Sequence, residues 1–190
     1  MPEHSFNNQQ KARMDSPARR KLLPQDKILP LLTIEEKNTI LDIGAGAGYF
    51  TFPLAKQTRE TVYALDIDQQ MLDYIAKKIS EEDIKNISLV QEKLESMPFN
   101  DQEIHRVLAC MVLHEVKPLE DALKEIYRVL TPGGRFVVVD WIPEPNDRRA
   151  NRIDSGTMQR AAEHVGFDFD ALTIPSNEVY AIAFTKPSQQ

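Results

Sequence analysis

The sequence predicts an α/β fold of three layers, in which helices cover both faces of a doubly wound, mostly parallel sheet of seven strands. Three observations predict it. Short β-branched or apolar runs alternate with helical patterns, which is the order of a parallel sheet with crossover helices. Runs such as "FVVV" (136–139) lack polar alternation, as strands covered on both faces do. The last two runs do alternate and are separated by "PSNE", which predicts an antiparallel C-terminal hairpin.

The N-terminal segment differs in composition from the rest of the chain. Residues 1–20 are polar, rich in Asn and Gln, and without an apolar period, so we expect a mobile polar and basic arm. The stretch 16–32 contains Pro24 and Pro30, which predicts short, broken helices. Because 190 residues suit one hydrophobic core, we expect a single domain over residues 21–187.

Seven strand runs follow in order. Five of them belong to the parallel part of the predicted sheet: "TILDI" (39–43), "TVYALDI" (61–67), "NISLVQ" (86–91), "HRVLACMV" (105–112) and "GRFVVVDW" (134–141). The remaining two, "FDFDALTI" and "VYAIAFT", form the predicted hairpin.

Helices are predicted between these strands. One begins at Asp68, whose carboxylate suits an N-cap. The next occupies "KPLEDALKEIYRVL" (117–130), where the apolar residues recur at helical spacing, and we expect it to end at "TPGG" with Gly133 as a left-handed cap. A third covers about 154–165 and closes at Gly166.

The stretch "LDIGAGAGYF" (41–50) contains three of the seven glycines, Gly44, Gly46 and Gly48, directly after the first strand. In parallel α/β sheets, ligands bind at the carboxyl ends of strands. Glycines there let the backbone turn and approach a ligand closely, and the following helix directs free N–H groups to the same place. Pro53 must lie near the first turn, so the helix is predicted to start between Gly48 and Phe50. The alternative is a purely structural turn.

Composition narrows the function classes. A net charge of −6 gives no general attraction to nucleic acid or to an anionic membrane surface. The basic residues of the arm could serve an anionic substrate, but a solvated charge run is the favoured interpretation. Cys110 is the only cysteine, which excludes an internal disulfide, and we expect no metal site. No leader and no apolar run of about 20 residues occurs, so we expect a soluble, cytoplasmic protein without a membrane partner.

Asp66 ends the second predicted strand, some twenty residues after the glycines, where a carboxylate can accept both hydroxyls of a ribose. The glycine spacing is G-x-G-x-G, one residue tighter than the dinucleotide fingerprint. Together with "ALDIDQQML", "SMPFND", "MVLHEV", "EIYRVLTPGGRFVVVDW" and "EHVGF", these features resemble class I S-adenosylmethionine-dependent methyltransferases, including the small ubiquinone and menaquinone biosynthesis enzymes. The resemblance covers residues 39–185 and implies the Rossmann-like form of the fold.

The resemblance also implies the residues that contact the cofactor, S-adenosyl-L-methionine. Asp42 and the glycine loop, including Ala45, would cradle its methionine half. Asp66 would bind the ribose and Ile67 would pack on the adenine. Leu94 would present its N–H to the adenine, and the backbone of residues 110–112, which contains Cys110 and Met111, would face the methionine part.

One position departs from the family pattern. Many relatives carry an acid in the second place of the segment after the third strand, where it contacts the adenine amino group. This sequence reads "EKLESMPF" and places Lys93 there. A lysine cannot accept that hydrogen bond, so either Glu92 or Glu95 substitutes or the contact is missing.

Candidate catalytic groups are few, because methyl transfer depends more on a dry, oriented site than on a strong acid or base. His114, after the fourth strand, is the one candidate base, since an imidazole suits proton removal near neutral pH. The favoured alternative is that it bonds backbone groups and shapes the loop. Trp141, the only tryptophan, either walls an acceptor or packs over the end of the sheet.

The sequence therefore predicts a methyltransferase with a small or medium acceptor, since the chain leaves little room for a dedicated substrate domain. The alternatives are a non-catalytic module that binds S-adenosylmethionine and, less favoured, a nicotinamide-dependent oxidoreductase on a similar sheet. Neither the acceptor nor the oligomeric state follows from the sequence.

Overall fold

The computed structural model describes residues 16–144 and 151–188. Its seven strands are β1 (Ile40–Ile43), β2 (Val62–Asp66), β3 (Ile87–Gln91), β4 (Ile104–Cys110), β5 (Leu130–Trp141), β6 (Asp168–Ser176) and β7 (Val179–Thr185). They form one sheet in the order β3-β2-β1-β4-β5-β7-β6. The first five strands are parallel, and β7 is antiparallel to both β5 and β6. The predicted fold class is confirmed.

Helices flank this sheet. They are α1 (Pro17–Leu22), α2 (Gln25–Ile28), α3 (Thr51–Ala55), α4 (Gln69–Glu82), α5 (Leu119–Val129) and α6 (Ser155–Val165), with short 3-10 turns at Leu29–Leu32, Leu94–Ser96 and Leu113–Glu115. Asp68 caps α4 by accepting the N–H of Gln70, as predicted, and Gly166 ends α6 with a φ of 116°. Within the described ranges, none of the helices combines the length and apolar character needed to cross a bilayer.

The two faces of the sheet carry separate hydrophobic cores, because successive side chains of a strand point to opposite sides. Leu41 and Ile43 of β1 pack with the apolar faces of α5 and α6. Ile40 of the same strand packs with Leu54 of α3 and with the residues around α2. These two cores hold the strand ends of β1 and β4 in fixed relation, which positions the loops that follow them.

Several element boundaries differ from prediction, and four of the differences change a cap, a loop or the predicted arm. α5 ends at Val129, and Gly133 is not its cap, because Leu130 is already extended and pairs with Ile104 of β4. The N–H of Gly133 instead donates to the carbonyl of Lys186 at 2.8 Å.

The other three differences concern the end of β4, the start of α3 and the start of α1. Strand β4 ends at Cys110, since Met111 has a φ of 57°. Helix α3 begins at Thr51 rather than between Gly48 and Phe50, because the loop keeps turning through Phe50. Helix α1 begins at Pro17, inside the predicted arm, and residues 1–15 lie outside the described residues.

Candidate functional site

A cavity of about 550 Å³ opens at the carboxyl ends of β1, β2, β3 and β4. The chain order of the sheet reverses between β1 and β4, which is where open α/β sheets bind ligands. The volume lies within the range of small-molecule sites, roughly 300–1,000 Å³. Eight of the predicted cofactor residues line it, namely Gly44, Gly46, Asp66, Ile67, Lys93, Leu94, Cys110 and Met111.

The glycine loop forms the floor of this cavity. Gly44 and Gly46 have φ values of 69° and 52°, a region that favours glycine. The N–H of Gly44 donates to the carbonyl of Leu65 at 2.8 Å, which ties the loop to β2. A Cβ on Gly44 would lie 3.0 Å from two side-chain carbons of Val112. The absence of that carbon therefore lets the loops after β1 and β4 close on each other and leaves their backbone facing the cavity.

Asp66 links the loop to the end of β2. Its Oδ2 accepts the N–H of Gly46 at 2.7 Å, and its Oδ1 accepts the N–H of Asp68 at 2.9 Å. An ionised carboxylate offers about four acceptor positions, so both oxygens can also accept from a ligand. The carboxylate thus fixes the curvature of the glycine loop and lines the cavity at the same time.

Three predicted cofactor residues do not line the cavity. Ala45 is 6 % exposed and points into the core beneath the loop. Gly48 faces a second, smaller cavity, and a Cβ there would lie 2.5 Å from the ring of Phe52.

The third, Asp42, is buried in β1 and accepts the hydroxyl of Thr51 at 2.6 Å. Burial raises the pKa of Asp42 to about 7, the hydrogen bond from Thr51 opposes the rise, and the charge of Asp66 adds to it. Asp42 therefore supports the loop from below, with a carboxyl group that titrates near neutral pH.

One end of the cavity is formed by β2, β3 and the turn after β3. Ile67 is 64 % exposed and presents an apolar surface to the cavity. Glu92, Lys93 and Glu95 also line this end. Lys93 stands where many relatives carry an acid that contacts the adenine amino group. The carboxylates of Glu92 and Glu95 lie before and after this lysine in the chain, so hydrogen-bond acceptors are available near it.

The opposite end is formed by the residues after β4. Burial raises the pKa of the Cys110 thiol far above its ordinary value, so this cysteine stays protonated and acts as an apolar wall. Met111 adopts a left-handed conformation, and its N–H donates to the carbonyl of Val139 at 2.8 Å. The chain turns there and directs Val112, Glu115 and Val116 towards the cavity.

Among the wall residues that the sequence did not identify as parts of the site are Arg19 and Met71. Arg19 belongs to the predicted basic arm, for which solvation is the favoured interpretation, and it lines the cavity from α1, whose Leu22 packs in the same core as Cys110 of β4. Met71 is a buried residue of α4. No local signal in the sequence distinguishes either residue from its neighbours.

His114 lies behind the wall of the cavity. Its Nδ1 is 2.7 Å from Oδ1 of Asp140, and its Nε2 is 3.7 Å from Oε1 of Glu115. His114 does not line the cavity, but Glu115 does. The hydrogen bond to Asp140 raises the pKa of His114, against the effect of partial burial.

Asp140, at the end of β5, is fully buried, and its Oδ1 also accepts the N–H of Trp141 at 2.8 Å. The histidine therefore bonds a carboxylate, whereas the favoured alternative expected backbone groups. The Trp141 ring does not line the cavity. The guanidinium carbon of Arg152 lies over this ring, 4.8 Å from its centroid.

Comparison with known proteins agrees with this geometry. Residues 41–138 match the family model described as a methyltransferase domain. The chain is 35 % identical over 117 residues to a demethylmenaquinone methyltransferase of Lactobacillus johnsonii, which covers 60 % of this chain and 48 % of the relative. It is 30 % identical over 144 residues to a ubiquinone/menaquinone biosynthesis C-methyltransferase of Escherichia fergusonii, covering 73 % and 57 %. The chain thus spans about half the length of these curated relatives.

A crystal structure of an S-adenosylmethionine-dependent methyltransferase from Aquifex aeolicus superimposes with a TM-score of 0.84 at 22 % identity, covering 96 % of this chain and 100 % of that one. This similarity extends the agreement in fold to the hairpin and the N-terminal helices, beyond the 41–138 range of the family model. The family match spans more than half of the 190 residues, and the fold and the position of the cavity agree with it. The chain belongs to the class I S-adenosylmethionine-dependent methyltransferases.

Proposed function

We propose that this protein transfers a methyl group from S-adenosyl-L-methionine to a small or medium-sized acceptor. The observation that carries the proposal is the meeting of the Gly44–Gly46 backbone with the Asp66 carboxylate on one cavity wall. An open backbone and a carboxylate suit the amino-acid and ribose parts of the cofactor, and exposed Ile67 offers an apolar surface for its adenine. The residues present therefore fit the cofactor.

When bound, the cofactor supplies a methyl group on a positively charged sulfur for in-line displacement by the acceptor. The chain's own part is to orient the two molecules and to exclude water, which lowers the barrier without a strong acid or base. The protonated Cys110 thiol and the side chains of Met111, Val112 and Val116 provide an apolar wall for this purpose. Because the Cys110 thiol stays protonated, it is a poor nucleophile and would not compete with the acceptor.

We also propose His114 as the base when the acceptor must lose a proton. Asp140 would hold its Nδ1, which leaves Nε2 directed towards Glu115 and the cavity. Because His114 does not line the cavity, the proton of the acceptor would reach Nε2 either through the Glu115 carboxylate, which does line it, or after the turn Leu113–Glu115 moves. That position also favours the second candidate function, a non-catalytic binding module, in which His114 and Asp140 only tie β5 to the turn after β4.

The size of the acceptor is inferred from the chain itself. The cavity has a volume of about 550 Å³, which suits a small or medium-sized acceptor beside the cofactor. The two curated relatives are named for quinone biosynthesis, so quinols and phenols are the first acceptors to test. A net charge of −6 does not favour nucleic acid as the acceptor.

We propose the cytoplasm as the location, since the single cysteine requires no oxidising compartment.

The test has two steps on the 190-residue chain. Calorimetry with S-adenosylhomocysteine first measures binding at the cavity, and an assay with a radiolabelled methyl group then screens quinols, phenols, amines and carboxylic acids. We expect binding together with transfer to at least one acceptor class. Binding without any transfer would support the non-catalytic module, whereas absence of binding would contradict the proposed function.

A further inference from the structure

Arg19 brings a positive charge to one end of the cavity. It lies on α1 (Pro17–Leu22), and the Ser16 hydroxyl accepts its backbone N–H at 3.2 Å, which fixes the first turn of that helix. Its guanidinium carbon is 5.8 Å from the centroid of the Tyr49 ring. The side chain lines the cavity, and its charge acts on the thiol of Cys110. Arg19 is therefore placed at the β4 end of the cavity.

The guanidinium has no acidic partner among residues 16–144 and 151–188. Its Nε is buried and without a hydrogen-bond partner there. A buried donor that remains unsatisfied is costly, on the order of 1–3 kcal/mol. Acidic residues outnumber basic ones in this chain, 29 to 23, so an arginine that finds no carboxylate within the described ranges, beside a ligand cavity, calls for an anionic group that those ranges do not provide.

The other positive charge on the cavity wall, Lys93, follows β3. Strands β3 and β4 are separated by β2 and β1, and neighbouring strands lie about 4.8 Å apart. The two cations are therefore on the order of 14 Å apart. They face opposite ends of any extended ligand. Four carboxylates, those of Asp66, Asp68, Glu92 and Glu95, line the cavity at the β2 and β3 end, against one, that of Glu115, at the β4 end. An anionic group is therefore better placed near Arg19 than near Lys93.

We propose that Arg19 binds a carboxylate in this cavity through its planar guanidinium, a geometry that suits paired hydrogen bonds to that group. The inference rests on the proposed function. The carboxylate belongs either to the amino-acid part of the cofactor or to an acceptor that is itself a carboxylic acid. Both sources present the same chemistry at the β4 end, and binding experiments separate them.

The test compares Arg19→Met with Arg20→Met, a matched loss of one charge from the neighbouring position of α1. Calorimetry measures S-adenosylhomocysteine, which has the carboxylate, and 5′-methylthioadenosine, which lacks the amino-acid part. Benzoate and benzamide are then titrated into protein saturated with S-adenosylhomocysteine. Arg19→Lys, which keeps the charge without the planar fork, and the melting temperature of each variant monitor folding.

If the cofactor is the source, Arg19→Met weakens S-adenosylhomocysteine binding about 10- to 100-fold and leaves 5′-methylthioadenosine binding unchanged. If the acceptor is the source, cofactor binding is unchanged and the preference for benzoate over benzamide disappears. Arg20→Met changes neither, and Arg19→Lys gives an intermediate loss.

Equal behaviour of Arg19→Met and wild type in both arms would overturn the inference while the proposed function stands, because the wild-type protein would still bind the cofactor product. A wild-type protein that binds neither S-adenosylhomocysteine nor 5′-methylthioadenosine would overturn both.

Discussion

At the scale of single residues, two carboxylates of neighbouring strands have different roles because their surroundings differ. Asp66 lines the cavity and accepts two backbone N–H groups, whereas Asp42 is enclosed and has Thr51 as its hydroxyl donor. The sequence placed both in the cofactor site. Which of two nearby acids contacts a ligand depends on the strand register and on the loop that covers it, and neither is a local property.

Replacing Asp66 tests its direct contact with the cofactor. We expect Asp66→Ala to weaken S-adenosylhomocysteine binding about 10- to 100-fold, because it removes charged hydrogen bonds of about 1.5–3 kcal/mol. Asp73→Ala, which removes an exposed acid of α4, serves as the control in calorimetry. An Asp66→Ala protein that binds as tightly as the control would remove this carboxylate from the site.

Titration of Asp42 predicts how stability depends on pH. Because burial raises its pKa to about 7, its contribution to the free energy of unfolding is full below the ordinary value of 3.8 and is lost as pH rises through 7. The loss from pH 5 to pH 8 is on the order of 3 kcal/mol. Urea unfolding at both pH values should therefore show a decrease in wild type that Asp42→Asn lacks. Parallel profiles of the two proteins would contradict this assignment.

At the scale of elements, His114 joins the turn after β4 to the end of β5 through Asp140. The hydrogen bond raises the pKa of His114, so its stabilising effect is full below 6.5 and is lost as pH rises through the raised value. As a base it must be neutral, and activity that depends on it should rise with pH through the same value. Asp140→Asn should lower the pKa of His114, so that the rise of activity with pH occurs at lower pH.

Proton NMR titration measures the pKa of His114 and so tests its hydrogen bond to Asp140 without requiring a methyl acceptor. The imidazole signal that disappears in His114→Gln identifies the residue, and its midpoint should fall in Asp140→Asn. Burial lowers the pKa of His105, which is distant in the sheet from this contact, so its titration should be the same in both proteins. A His114 midpoint that is unaffected by Asp140→Asn would show that the contact has no electrostatic role.

The glycine loop is a second test at this scale. Gly44→Ala forces an L-residue to a φ of 69° and places a carbon 3.0 Å from Val112. We expect a loss of stability of about 1–2 kcal/mol from the left-handed backbone alone, together with weaker S-adenosylhomocysteine binding. Gly156→Ala in α6 is the matched control. Its new carbon meets only the ends of the Asp154 and Arg160 side chains, so helix propensity should raise stability by about 0.5–1 kcal/mol. Equal effects of the two changes, measured by denaturant unfolding, would contradict the role of the loop.

At the scale of the whole molecule, the cavity is built from the loops after four strands, β1 to β4, and from α1 and α4, so a ligand there stabilises contacts across the sheet. S-adenosylhomocysteine at 100 times its dissociation constant should add about 2.7 kcal/mol to the free energy of unfolding. For a chain of this size, that corresponds to a rise in melting temperature of about 5–10 °C. NADH should cause no shift. Stabilisation by NADH alone would reverse the assignment of the ligand.

The sequence by itself determined the type and order of the elements, because hydrophobic periodicity and capping are local. It therefore predicted the caps at Asp68 and Gly166 and the antiparallel hairpin. It failed at Gly133, because pairing of Leu130 with Ile104 lies outside any local window. It also located the glycine loop and Asp66, since in parallel sheets ligand loops follow strand ends.

Only the tertiary structure decided which side chains reach the cavity. It brought Arg19 to the end of β4, enclosed Asp42 beneath the loop, and paired His114 with a carboxylate 26 residues away. The physical reason is that these contacts depend on the packing of separate elements on the sheet. The spacing of residues along the chain predicts the faces of those elements but not the neighbours that each face meets.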